Sequence, residues 1–108
     1  MLTEANLRLA TERLVKHFRP QRVILFGSQA RGTADARSDV DLLVICPIQP
    51  EPASRRALMV AMDRVLRGLE LATEVIILTP EEFERDRQIP GTVARPAWRE
   101  GRVLYEAP

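Results

Sequence analysis

Apolar residues recur with helical spacing over the first eighteen positions. Leu7, Ala10, Leu14, Val15 and Phe18 gather on one face, with Thr3 placed to cap the helix and Pro20 to end it. The rhythm then changes. RVILF at 22–26 is an unbroken β-branched and aromatic run stopping at Gly27, the pattern of a buried strand. Residues 28–37, SQARGTADAR, are polar and hold at most one short helix. DVDLLVIC at 39–46 is a second strand, broken by Pro47 and the PIQPEP segment.

A helix is predicted near residues 52–67, where Ala57, Ala61, Val65 and Leu58, Met62, Leu66 form adjacent i, i+4 rows and Gly68 is a stop. TEVIIL at 73–78 is a third strand. Thr79-Pro80-Glu81-Glu82 carries a capping box with proline at the first helical position, a strong helix start. A further short helix is predicted near 92–100 despite Pro96, and Val103-Leu104-Tyr105 reads as a terminal extended segment covering the core. The order is that of a layered α/β domain, a small mixed β-sheet flanked by helices, spanning 1–108 as a single unit. The long helical second connection predicts that strands two and three are parallel; the short first one predicts that strands one and two are antiparallel.

Composition narrows the function classes. The chain has 16 basic and 15 acidic residues, without the basic excess that a sequence-independent grip on duplex nucleic acid needs, so direct duplex DNA binding is not expected. All basic residues but Lys16 are arginine. Cys46 is alone and reads as a small buried residue; with His17 as the sole histidine, a usual zinc site is excluded. The N-terminus lacks the pattern of a signal peptide, and no apolar run nears the roughly 20 residues that span a bilayer, so a soluble cytoplasmic protein without membrane contact is expected.

The chemistry is concentrated in residues 26–43, FGSQARGTADARSDVDLL. Asp39 and Asp41 lie two apart at the start of a strand, so their carboxylates project to one face, the face that Leu43 and Ile45 carry into the core. Two acids beside an apolar run call for a positive charge between them. A hard divalent cation such as Mg²⁺, which takes oxygen ligands, is the obvious candidate; a strand that simply begins in solvent is the alternative. Gly27-Ser28 directly after a strand lets the backbone approach an anion and adds a hydroxyl donor, or is an ordinary strand-ending turn; it is not a P-loop. Arg31 can bind phosphate as a fork donor or pair with Asp35 or Asp39. Antiparallel pairing brings Ser28 against Asp39 and Asp41, an anion cradle beside a cation site. Glu74, on a parity with Ile76 and Leu78, can add a third carboxylate from strand three.

Gly27-Ser28, Arg31-Gly32 and Ser38-Asp39-x-Asp41, at this spacing, resemble the signature of the DNA polymerase beta-type nucleotidyltransferase superfamily. The short length, TPEEFE at 79–84 and EGRVLYE near the C-terminus resemble its minimal branch. The resemblance implies transfer of a nucleoside monophosphate from a triphosphate with release of pyrophosphate. It assigns the triphosphate to Gly27 and Ser28, with Arg31 and Ser38 in the same motif, and two Mg²⁺ ions to Asp39, Asp41 and a third acid. Where the family carries aspartate this chain has Glu74, one methylene longer; Glu70 precedes the strand and is a poorer substitute.

Two functions follow. One is an enzyme that moves AMP from ATP to a hydroxyl on a protein partner; by resemblance, the partner is a small all-helical protein of the HEPN type, with this chain as the antitoxin of the pair. The other is a binding module that keeps the fold and neutralises its partner by occlusion. Either function is compatible with a homo- or hetero-oligomer. His17 reads as a residue meeting the negative end of the first helix, and Trp98 and Tyr105 as core or interface residues.

Overall fold

A computed structural model describes residues 2–31, 39–48 and 51–108, the side chains of Ser28 and Arg31 excepted. Its elements are α1 (Glu4–Phe18), β1 (Arg22–Phe26), α2 (Ser28–Arg31), β2 (Val40–Ile45), α3 (Pro52–Val65), β3 (Thr73–Leu78), α4 (Pro80–Asp86), α5 (Ala94–Glu100) and β4 (Arg102–Glu106). The four strands form one sheet in the order β3-β2-β1-β4. β1 runs antiparallel to β2 and to β4, while β2 and β3 are parallel. The expected α/β architecture and both strand directions are therefore observed.

The helix starts are chemically specified. The Thr3 hydroxyl accepts from the Asn6 N–H at 3.1 Å, and the Asn6 side chain accepts from the Thr3 N–H at 2.7 Å. Thr79 and Glu82 repeat this box at α4. α1 closes at Arg19, whose φ of 47° puts it in the left-handed region while its N–H returns to the Val15 carbonyl. Pro96 is the third residue of α5, where a backbone N–H has no intrahelical acceptor, so the ring is tolerated.

Period-two alternation divides the core between two sheet faces. Val23, Leu25, Leu42, Val44, Val75 and Ile77 pack against Leu7, Ala10 and Leu14 of α1 and Met62 of α3. Ile24, Phe26, Leu43 and Ile45 pack against Phe83 of α4 and Ala94 and Ala97 of α5. Cys46 is buried at the end of β2, and burial pushes its thiol up to about 11, which suits an inert packing residue.

One expectation needs correction. Of the two rows predicted on the third helix, only Leu58-Met62-Leu66 faces the core; Ala57 is exposed and Ala61 and Val65 are half-buried. α3 lies over β3, a strand at the rim of the sheet, which offers it only one side to bury. The expected C-terminal extended segment is observed: it is a fourth strand, with Leu104 and Tyr105 packed against the core, pairing from Arg22↔Glu106 to Leu25↔Arg102 with a register shift between Val23 and Ile24. Its half-exposed pattern is that of an edge strand, which needs little apolar alternation.

The outer side of β3 is closed at one point. The Ala72 and Leu78 carbonyls accept from Val40 and Cys46 N–H groups of the β2 side, so the alternate carbonyls of β3 face outward. One of them, Ile77, accepts from Arg55 Nη1 at 2.7 Å. The same guanidinium grips Glu82 at 2.8 and 3.0 Å, and Glu82 also accepts from the Thr79 N–H. The Arg55 fork, with the Thr79 N–H behind it, holds the Glu82 carboxyl below its ordinary value, against the opposing effect of burial.

Two outcomes are expected. Phe83→Ala, at a fully buried position, lowers the unfolding free energy by about 3–5 kcal/mol in urea denaturation. Glu82 has a lowered folded-state pKa, so its stabilisation is present above the ordinary value of 4.5 and is lost as pH falls through the folded one. The difference in Tm between the wild type and Glu82→Gln is therefore greatest near neutrality and shrinks below that pH. A difference constant across the whole acid range would contradict the assignment.

Candidate functional site

β1 ends where β2 and β3 begin, and the acids collect at that edge. The antiparallel register sets Phe26 opposite Asp41, and the parallel register sets Asp41 beside Glu74. Asp41 shares the parity of Leu43 and Ile45, and Glu74 that of Ile76 and Leu78, all on the face that packs against Phe83. Asp41 and Glu74 are thus neighbours on one face, at strand spacing of about 4.8 Å between their backbones. Asp41 is half-buried at the margin of the apolar layer, whereas Glu74 is exposed. Asp39 stands exposed one residue before β2.

Gly27 is explained by Asp41. Its φ of +74° suits glycine, and a Cβ built there would overlap the Asp41 Oδ2 and lie 3.2 Å from its Cγ. The sequence credits this glycine with close approach to an anionic ligand; the structure gives it a prior task, making room for the carboxylate that follows across the strand pair. No motif signals that contact. The pairing of Phe26 with Asp41 creates it, and that register is visible only in the fold.

Ser28 and Arg31 open and close α2, directly beyond the glycine. Their side chains, and Ser38, Gly32 and Asp35 altogether, lie outside the described residues. Among the described residues no three histidine, cysteine or acidic side chains form a closed ligand set. Asp41 and Glu74 are adjacent, and Asp39 is next in the chain, without making a cage of protein atoms alone. The donor chemistry nevertheless fits Mg²⁺: hard carboxylate oxygens at a strand edge, with a backbone kept close by glycine, and a cation that ordinarily completes its shell with water and substrate phosphate.

Other residues take the roles expected of them or lie elsewhere. His17 is exposed in the last turn of α1, its ring 6.3 Å from that of Phe18. Tyr105 packs against the core on the α1 side. Trp98 is 44% exposed, with the Arg87 guanidinium 4.8 Å from its ring centroid. A groove of about 510 Å³ between α1 and β4, lined by Leu7, Arg8, Thr11, Arg102 and Tyr105 among others, contains none of the acids singled out in the sequence. Its size comes from the gap between a helix and a sheet edge; the carboxylate edge is the better candidate because its groups can do chemistry. No helix among the described residues is long and apolar enough to cross a membrane.

Solved structures share this fold. A protein from Sulfolobus solfataricus, provisionally named a nucleotidyltransferase, superimposes with a TM-score of 0.65 at 21% identity over 94% of this chain and 78% of that one. A toxin–antitoxin complex with AMP-PNP gives 0.65 at 20% identity, over 98% and 75%. A mutant of the MntA–HpeT toxin–antitoxin pair, with two aspartates replaced by glutamate, gives 0.64 at 18% identity, over 98% and 75%. No curated relative matches the chain. The sequence itself matches the model of the nucleotidyltransferase domain over residues 6–104, nearly its whole length, and the chain belongs to that family.

Proposed function

We propose that the chain transfers AMP from ATP to a hydroxyl on a protein partner, in the manner of the antitoxin of a toxin–antitoxin pair. The observation that carries the reading is the seating of the Asp41 carboxylate against Gly27, with Glu74 in register beside it. A glycine in a left-handed turn lets this carboxylate sit at the rim of the apolar layer, where the strand register sets it beside a second acid, as a site for a hard cation requires. Family membership supports the reaction class. The AMP-PNP held by one structural neighbour, and the partner proteins of the toxin–antitoxin neighbours, support the substrate and the partner.

In this reading Asp39, Asp41 and Glu74 would hold two Mg²⁺ ions, which would supply neutralisation of the charge that develops during transfer. Gly27, Ser28, Arg31 and Ser38 hold the triphosphate at the start of α2. Glu74 draws the proton from the acceptor hydroxyl; a bond forms from that oxygen to the α-phosphorus as the bond to the β-phosphate oxygen breaks, and pyrophosphate leaves. The partner is a small helical protein of the HEPN type. Asp41 and Glu74 orient, and the sheet beneath them keeps them in place.

A second reading is favoured by one observation: Glu74 is exposed, and the three acids do not form a closed set among the described residues. In that case the chain neutralises its partner by binding alone.

One assay separates the two. The chain, Mg²⁺, ATP labelled at the α-phosphate and the protein encoded beside it are incubated together. Label moves to the partner with the wild type, and Asp41→Asn lowers the rate by at least about a hundredfold, as expected for a group that acts on developing charge. Tight partner binding with no label transfer by the wild type would leave the binding module. Gly27→Ala, which forces the Asp41 carboxylate to move and imposes a strained φ, lowers transfer about tenfold or more and destabilises the fold by about 1–3 kcal/mol, read from kinetics and thermal melts of the same sample.

A further inference from the structure

α3 has two unlike sides. Leu58, Met62 and Leu66 face the core, while Arg56, Met59, Val60 and Asp63 fall at i, i+3, i+4 and i+7 and form a separate stripe in solvent. Met59 is 37% and Val60 53% exposed, two adjacent large apolar residues with nothing over them. Together with Thr73, Glu74 and Val75 of β3 the stripe lines a groove of about 310 Å³. Among the described residues neither Arg56 nor Asp63 takes part in an ion pair. The stripe therefore presents an apolar centre with an unpartnered positive charge at one end and an unpartnered negative charge at the other.

We infer that this stripe is the docking surface for a second copy of the same chain, packed antiparallel about a two-fold axis that passes between Met59 and Val60. Positions 56 and 63 are equally distant from that point, as are 59 and 60. Under the two-fold, Arg56 meets Asp63 of the partner subunit, Asp63 meets Arg56 of the partner subunit, and Met59 meets Val60 of the partner subunit. An isologous contact requires such self-complementarity. Parallel packing fails it, because equal charges would then face each other. The two charges stand about 10 Å apart along the helix axis, at 1.5 Å per residue, so both pairs fit within one α3–α3 contact. Antiparallel packing also opposes the two helix dipoles. Met59, unbranched and adaptable, suits the groove that it helps to line. A partner of a single charge sign would match only half of the stripe; a second copy matches both halves at once.

Four residues of one helix are far fewer than the roughly 20–30 a side of a standard stable interface, so the dimer is weak and concentration-dependent. The groove borders Glu74 of the candidate site, but the test reads association alone and does not depend on whether the chain transfers nucleotides.

Sedimentation equilibrium of the full chain, from micromolar to near-millimolar protein, tests it, with circular dichroism melts showing that each exposed-site variant is folded. The wild type is expected to interconvert between monomer and dimer. Arg56→Asp and Asp63→Arg each set like charges across the axis and weaken association about tenfold or more. The double variant Arg56→Asp/Asp63→Arg restores it, because both pairs re-form with reversed sign. Val60→Asp abolishes it. A wild type that stays monomeric throughout overturns the proposal and leaves the face to another protein. So does a dimer indifferent to Val60→Asp, which would use a different surface. Weakening by both single variants without rescue in the double variant overturns the antiparallel register.

Discussion

A carboxylate at the entrance to an apolar layer is under tension from two sides. Its charge favours water, while the strand that bears it leads directly into Leu43 and Ile45, fully buried residues. At Asp41 the neighbouring strand ends directly opposite, at Phe26, and the glycine that follows lacks the side chain that would fill the carboxylate's place. The register of β1 against β2 and the turn into α2 both depend on that accommodation. A slip of one residue would send Asp41 to the α1 face and bring Val40 or Leu42 to the edge where the acids now lie.

The rest of the molecule keeps that edge from moving. Each face of the sheet is covered by its own helices, and α1 and α4 start on reciprocal caps, Thr3 with Asn6 and Thr79 with Glu82. β1 lies at the centre of the antiparallel part of the sheet, held by β2 on one side and β4 on the other. Acids borne by a buried, doubly flanked sheet are positioned by packing rather than by loop conformation, and such supports hold reacting groups precisely. Glu74 is less constrained than Asp41. It belongs to a rim strand and has an extra methylene, so its carboxylate samples more positions around the same register.

Much of this was legible in the sequence, for physical reasons. RVILF and TEVIIL were bounded correctly because continuous β-branched runs between turn residues have few alternatives, and the Thr79-Pro80-Glu81-Glu82 box marked a helix start because capping is local chemistry. The lengths of the two connections were enough to order the strand directions. What the chain did not disclose depends on distant neighbours. RVLYE was legible as extended, but its partner was not, because β1 lies about eighty residues upstream in sequence. The outer side of α3 looked like a second core row because periodicity reports that a residue is apolar, not whether anything covers it. At the candidate site, the adjacency of Asp41 and Glu74 followed from parity and parallel pairing, whereas the role of Gly27 as space for a carboxylate needed the coordinates.

The clasp at Ile77 has a consequence for the chain's behaviour at high concentration. A six-residue rim strand rich in isoleucine, without proline or lysine, is a natural template for runaway strand stacking between molecules. By occupying the outward Ile77 carbonyl and tethering the helix behind it through Glu82, Arg55 removes an acceptor from the most apolar part of that template. Arg55 therefore closes one end of the rim to strand addition, leaving the opposite, Glu74-bearing end as the more accessible stretch of its backbone.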